Sequence, residues 1–279
     1  MVKAKIILLA AGAFLACSCC HSFKWEHFII DGHRTGVGVP TANNVSEALG
    51  SVTDGVYTAP NGKIFEGGST PEVASLLIEV QPKMAHLKEV IAYAPVAMER
   101  HHPESNLTNF IADRLFADVQ RLCEPDGRKV DLAFTNYGGI RCDIPAGDVL
   151  LDDIVSMLPF KNYIRYVKVP GKELRNTFEF MASGKTQCVS GVKLVIKDHK
   201  LVSAEIGGEP LDDERYYGLA TIDFLLDGGD GYKLARGATD YFISDVRIGD
   251  AILADVRALT AAGKPLEYFT DGRIQVLKD

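Results

Sequence analysis

The run Val-Lys-Leu-Val-Ile-Lys-Asp-His-Lys-Leu-Val-Ser-Ala-Glu-Ile-Gly-Gly, residues 192–208, decides the fold class. Val192 to Ile196 is short, apolar and rich in β-branched residues; Leu201 to Ile206 is a second such run, and only Lys197-Asp198-His199-Lys200 lies between them. Two strands joined by so short a link pair antiparallel, and Gly207-Gly208 signals another turn directly afterwards. Hairpin-linked strands set among helices, rather than alternating with them one for one, make an α+β domain with a mixed sheet packed with helices.

Downstream of this run, Tyr217 to Ala220 reads as a strand, a helix covers about Val246 to Leu259, and Gln275-Val276-Leu277 closes the chain as a strand. Upstream, Gly171-Lys172-Glu173 opens a helix to about Ala182, Tyr163 to Val169 is a strand, and Asp152 to Met157 is a short helix stopped by Pro159. Asp131 to Asn136 is a short apolar run that delivers a loop. The clearest helix follows Ser105, which is placed to cap it: Leu107, Phe110, Ile111, Leu115, Phe116 and Val119 recur at steps of three and four, so one face packs on a core. Val90 to Ala94 reads as a strand, and the dense pattern of a packed domain begins near Leu87. Residues 21–86 are irregular, rich in Gly, Thr, Asn and Ser, and read as a leader or small cap. The expected organisation is residues 1–20, 21–86 and 87–279.

Lys3 and Lys5 precede an apolar run from Ile6 to Leu15 that ends at small residues with Cys17, Cys19 and Cys20, which reads as an export signal. That run falls short of the ~20 apolar residues that cross a bilayer. The cysteine cluster at the cleavage region resembles a bacterial lipoprotein signal, with Cys17, or Cys19, carrying the acyl chains; cleavage without lipid is the alternative. The expectation is an exported protein of the cell envelope, periplasmic or anchored at the outer membrane through lipid alone. A formal net charge of −7 argues against a nucleic acid polymer as partner, because a phosphate backbone calls for a basic face. A small anion needs only one or two local cations and a few backbone N–H groups. Cys123, Cys142 and Cys188, odd in number and widely spaced, form neither a disulfide framework nor a zinc site, and are expected to be buried free thiols.

Three loops place Gly, an aromatic or a charge directly after an apolar run. In Thr135-Asn136-Tyr137-Gly138-Gly139-Ile140-Arg141 the two glycines let the backbone turn tightly with its N–H groups close to a ligand, while Asn136 and Arg141 offer an amide and a cationic fork. A plain turn with a surface arginine is the alternative. Leu158-Pro159-Phe160-Lys161-Asn162 holds a flat ring behind a proline. Asp223 to Tyr232 contains Asp-Gly-Gly-Asp-Gly, which lacks the alternating ligands and closing glutamate of a calcium loop. It reads as a flexible segment presenting Phe224 on one side and Asp230 on the other, a ring able to stack on a base and a carboxylate able to accept from ribose hydroxyls. Each phenylalanine taken singly also suits a core.

In order and spacing, the set Glu-Ser-Asn-Leu-Thr-Asn-Phe-Ile-Ala-Asp (104–113), Thr-Asn-Tyr-Gly-Gly-Ile-Arg (135–141), Asp-Ile-Pro-Ala-Gly (143–147), Leu-Pro-Phe-Lys-Asn (158–162), Gln-Cys-Val-Ser-Gly-Val (187–192) and Phe-Leu-Leu-Asp-Gly-Gly-Asp-Gly-Tyr (224–232) resembles the C-terminal domain of 5′-nucleotidases. The resemblance covers roughly residues 87–279. It implies that Phe160 and Phe224 sandwich a nucleobase, that Asp230 contacts the ribose, and that Asn136 and Arg141 contact the ligand near its sugar and phosphate, with Asn162 at the base edge. The chain departs from the pattern at two places. Where the family often has a further arginine before Glu104, it has His101, His102 and Pro103, with Arg100 the nearest candidate; the two histidines read as exposed loop residues. Tyr137 stands where a third glycine is usual, which narrows the approach to the ligand.

The family's catalytic half, which resembles other two-metal phosphoesterases, has no counterpart in these motifs. Asp31-Gly32-His33 imitates one of that half's metal motifs, but no Asn-His pair follows and the other histidines lack metal-site spacing. The resemblance therefore implies no cofactor on this chain and a divalent metal pair on a separate metallophosphoesterase chain, the two together making a split 5′-nucleotidase-type hydrolase. A lipoprotein that captures nucleotides or nucleosides without hydrolysis is the alternative, and an envelope protein that kept the fold but lost the pocket is a third.

Overall fold

The computed structural model describes residues 35–38, 40, 44–184 and 186–277. Cys17, Cys19, Asp31 and His33 lie outside them. The chain divides into a unit ending at Glu79 and a second from Val80 to the C-terminus.

In the first unit, helix α1 (Val45–Leu49) leads into three short antiparallel strands, β1 (Ser51–Thr53), β2 (Val56–Thr58) and β3 (Ile64–Phe65). Tyr57 is buried within it: its ring stacks on Phe65 at 5.7 Å and its hydroxyl donates to the Leu49 carbonyl at 2.8 Å. Helix α2 (Thr70–Met84) starts in this unit, with Val73, Leu76 and Leu77 exposed.

The second unit is built on a mixed sheet of order β13-β7-β12-β5-β8, formed by β5 (Leu132–Thr135), β7 (Tyr163–Pro170), β8 (Cys188–Ser190), β12 (Tyr216–Ile222) and β13 (Asp240–Arg247). β12 runs antiparallel to β7 and parallel to β5, with Leu219 opposite Leu132. Every residue of β5 is buried, as its unbroken apolar run requires of a strand covered on both faces. Helix α3 (Asn106–Cys123) packs on β5 and β8 through Leu107, Phe110, Ile111, Leu115 and Val119. Ser105 caps it: its Oγ accepts from the Thr108 N–H at 3.1 Å while Thr108 Oγ1 accepts from the Ser105 N–H at 2.8 Å, so two orphan donors of the first turn are satisfied. Helices α4 (Leu151–Met157), α5 (Gly171–Ser183), α6 (Asp223–Leu226) and α7 (Ile248–Ala261) complete the helical layer.

A second sheet, β11-β10-β9-β14, contains the hairpin read from residues 192–208. β9 (Val192–Lys197) and β10 (Lys200–Ile206) pair antiparallel through Asp198 and His199, both left-handed (φ 50° and 59°), the geometry whose twist matches a two-residue hairpin. β10 turns at Gly207-Gly208 into β11 (Glu209–Pro210), and β14 (Ile274–Leu277) lies parallel to β9. β4 (Val90–Ala94) and β6 (Gly147–Leu150) form a separate antiparallel pair. Among the described residues no helix is long and apolar enough to cross a membrane.

Three differences from the sequence reading have clear causes. The C-terminal helix starts at Ile248 rather than near Val246, because Val246 and Arg247 finish β13, an edge strand with Tyr241 and Ile243 facing solvent. The Asp223–Tyr232 segment is no plain flexible loop: α6 and a tight turn at 229–231 fold it back on itself. Cys142 is exposed, whereas Cys123 and Cys188 are buried. Cys142 sits in irregular backbone between exposed Arg141 and Asp143, with no helical or strand period to aim it inward. Burial pushes the Cys123 thiol up to about 11 and the Cys188 thiol up to about 12, so both are poor nucleophiles.

Candidate functional site

β5 ends at Thr135 and hands Asn136 to a single tight turn, Tyr137–Gly139. Asn136 is 7% exposed, and its Nδ2 donates to the Asp230 carboxylate at 3.0 Å, across 94 residues of sequence. Its Oδ1 is buried and has no hydrogen-bond partner among the described residues. Neither glycine has a positive φ, and only Gly139 is short of room. A Cβ on Gly139 would stand 2.8 Å from Asn136 Oδ1.

Arg141, at the far end of the turn, donates from Nη1 to the Gly138 carbonyl at 3.1 Å, and its guanidinium lies 5.6 Å from the centre of the Phe160 ring. Phe160 follows the proline that ends α4 and is 48% exposed, so one face of the ring carries a cation while much of the rest is open to solvent. Asn162 begins the approach to β7, its carbonyl accepting from the Ile248 N–H at 3.0 Å. Asn136, Phe160 and Asn162 line one recess with Gly139, Leu158 and Ile222, of about 10 Å3, room for one water. A nucleobase does not fit inside it.

Phe224 stands on α6, directly beyond β12, and is 39% exposed. A Cβ on Gly229 would lie 2.5 Å from both the Phe224 ring and its carbonyl oxygen, so only glycine lets the segment fold this closely over Phe224. Asp230, exposed and left-handed at φ 53°, is thereby turned toward Asn136. Gly229→Ala is expected to displace Phe224 and speed hydrogen exchange in residues 224–232, since the added methyl would overlap both the Phe224 ring and its carbonyl. Hydrogen exchange followed by mass spectrometry reads this, and unchanged exchange would count against a fixed Phe224.

The structure thus joins Asn136 to Asp230 and Arg141 to Phe160, and sets Asn136, Phe160 and Asn162 around one recess. Phe224 belongs to the Asp230 segment but does not line the recess, and its ring does not stack on Phe160. The residues that brace these loops are ones to which the sequence reading gave other parts: Tyr137 as narrowing the approach to the ligand, Arg100 as the nearest candidate for a further arginine, and His102 as an exposed loop residue. Tyr137 lies flat on the His102 ring (centroids 4.0 Å, 25°), has the Arg100 guanidinium 5.6 Å from its centre, and donates its hydroxyl to the Arg100 carbonyl at 3.2 Å. Arg100 Nη1 in turn donates to the Ile140 carbonyl. His102 is exposed as expected but is not a bare loop residue, since its Nδ1 is also 2.7 Å from Thr186 Oγ1. Among the described residues no three His, Cys, Asp or Glu side chains are grouped to hold a metal ion.

Residues 83–236 match the family model described as 5′-nucleotidase, C-terminal domain. Two curated proteins are similar in sequence: an apyrase from Tabanus yao, 27% identical over 77% of this chain and 44% of its own, and Protein UshA from Escherichia coli, 33% identical over 58% and 31%. The chain spans less than half the length of either. A solved 5′-nucleotidase precursor from Thermus thermophilus superposes with a TM-score of 0.65 and 26% identity, covering 80% of this chain and 46% of that one.

Proposed function

Because the chain belongs to the 5′-nucleotidase C-terminal domain family, we propose that its second unit is a nucleotide-recognition domain that positions a nucleotide or nucleoside for a separate metallophosphoesterase chain. The observation that carries this reading is the Asn136–Asp230 hydrogen bond, which draws together two distant loops, with the exposed ring of Phe160 beside Asn136 in one recess and the exposed ring of Phe224 on the segment that carries Asp230. Each ring offers a flat apolar face to a base, Asp230 has acceptor oxygens for ribose hydroxyls, and Arg141 brings a fixed positive charge to the phosphate side. Asn162 is assigned to the base edge.

In this reading the metal pair that cleaves the phosphoester sits on the partner chain, and this chain's part is binding and orientation. An export signal with lipid at Cys17, or Cys19, would hold the domain in the cell envelope, where it would serve nucleotide breakdown and scavenging.

The test is to mix the purified chain with a metallophosphoesterase encoded beside it and follow phosphate release from adenosine 5′-monophosphate (AMP). A split enzyme gains hydrolysis over either chain alone. AMP binding without any such gain would favour a non-catalytic nucleotide-capturing lipoprotein, and no AMP binding at all would remove both readings.

A further inference from the structure

We propose that a groove between helix α5 and the segment that follows Asp230 is a second binding site, one that takes a single-ring aromatic anion. Glu173, Asn176, Thr177 and Phe180 recur along α5 at steps of three and four, so they share one face of the helix. Gly231, Tyr232, Lys233 and Arg236 form the other wall. The groove holds about 260 Å3, close to the low end of the ~300–1,000 Å3 that small-molecule clefts occupy, which is room for one ring and its charged group. None of these residues lines the recess of Asn136, Phe160 and Asn162, so the two sites are separate.

Phe180 supplies the flat surface. Its ring meets Tyr232 edge-on at 5.0 Å, and Tyr232, 4% exposed, also packs edge-on against Phe134 at 4.9 Å, so the ring rests on a buried support. Phe180 nevertheless stays 49% exposed, an apolar ring half open to water in a groove with a charged rim. That rim holds two cations and one carboxylate. The Glu173 carboxylate is already engaged: Asn176 Nδ2 donates to its Oε2 at 3.2 Å, and Arg236 Nη1 lies 4.0 Å from the same oxygen, which holds the guanidinium at the rim. Lys233, on the exposed side of the chain next to buried Tyr232, makes no ion pair and no ring contact among the described residues. A chain of formal net charge −7 therefore sets an unpaired ammonium and a loosely paired guanidinium beside a free aromatic face. The ring suits stacking, and the two cations suit a phosphate or carboxylate attached to whatever stacks.

Titration calorimetry on the full chain carrying Phe224→Ala, which takes the stacking ring of the first site out of play, tests the groove with phenyl phosphate and with benzoate. One molecule is expected to bind per chain. Adding Phe180→Ala should weaken that binding roughly five- to a hundredfold, the value of a stacked ring, and adding Lys233→Glu should weaken it about fivefold or more. Inorganic phosphate, having no ring, should bind more weakly than phenyl phosphate and be indifferent to Phe180→Ala. Binding of phenyl phosphate alone identifies the occupant as a phosphate ester, whereas equal binding of benzoate shows that a carboxylate serves as well. No binding of either compound overturns the proposal, as does binding that neither added variant weakens. If Phe180→Ala lowers the melting temperature, Lys233→Glu decides alone, because its side chain is exposed and the fold does not lean on it. These outcomes do not depend on whether the first site takes a nucleotide.

Discussion

Replacing Phe224 with alanine is expected to weaken nucleotide binding roughly five- to a hundredfold while leaving the melting temperature nearly unchanged. A base stacked on an aromatic side chain gains about 1–3 kcal/mol, and every 1.4 kcal/mol is about a factor of ten in affinity. The ring is 39% exposed on a one-turn helix, so the folded chain draws little stability from it. Phe160→Ala should cost a similar factor and also release Arg141, whose guanidinium sits on that ring. If both rings hold the same base, the double variant should lose less than the sum of the two single losses, because a base without one wall is held less firmly against the other. Calorimetry with AMP, adenosine and ribose 5-phosphate separates the contributions. Ribose 5-phosphate, having no base, should be indifferent to either phenylalanine, and full-strength AMP binding by Phe224→Ala would end the stacking model.

The parts of the fold that were legible in the sequence are those where a local rule is strong. α3 has both a cap and a clean three-and-four period, and the β9–β10 hairpin has two long apolar runs with a link that admits only one kind of pairing. β8 was missed because three residues cannot display an alternation, and β13 because an edge strand with exposed Tyr241 and Ile243 lacks the burial that makes the pattern readable. α6 was hidden by the Gly-Gly-Asp-Gly run behind it, which reads as a loop although Gly229 serves to let the chain close over Phe224. The candidate ligand-facing residues stood out because Gly, Arg and aromatic side chains after apolar runs are conspicuous. Their supports did not: Gln187 meets Tyr137 only because of the β5–β8 register, which ties together residues 50 apart in the chain. Side chains that face a ligand announce a chemistry, whereas those that hold them in place depend on register and are silent until the sheet is known.

The same strand explains why the largest loss of stability is expected at Arg273, remote from the candidate site. Arg273 is 9% exposed and fully engaged: Nη1 and Nη2 donate to Asp113 at 2.7 and 2.9 Å, Nη1 also to the Val189 carbonyl of β8 at 2.8 Å, and Nε and Nη2 to Asp271 at 2.8 Å each. Tyr268 donates to Asp113 at 2.6 Å, and the Gly272 N–H to Glu104 at 2.7 Å, so residues 268–273 are stitched to α3 and β8 together. Arg273→Met should cost about 3–5 kcal/mol, because it strands the Asp113 carboxylate with its charge uncompensated in a largely buried position. For a unit of this size that corresponds to a fall in melting temperature of roughly 6–20 °C. Asp271 supplies a pH signature. The Arg273 hydrogen bond holds its carboxyl below the ordinary carboxylate value, so its stabilisation is present above about pH 4 and is lost as pH falls through the lowered value. Asp271 is itself more than half exposed, which keeps this contribution modest. Thermal melts from pH 7 down to pH 3 should therefore fall less steeply at the acid end for Arg273→Met than for the wild type, from a lower starting point. A melting temperature within two degrees of wild type at pH 7 would show that the stitching of residues 268–273 does not depend on this arginine.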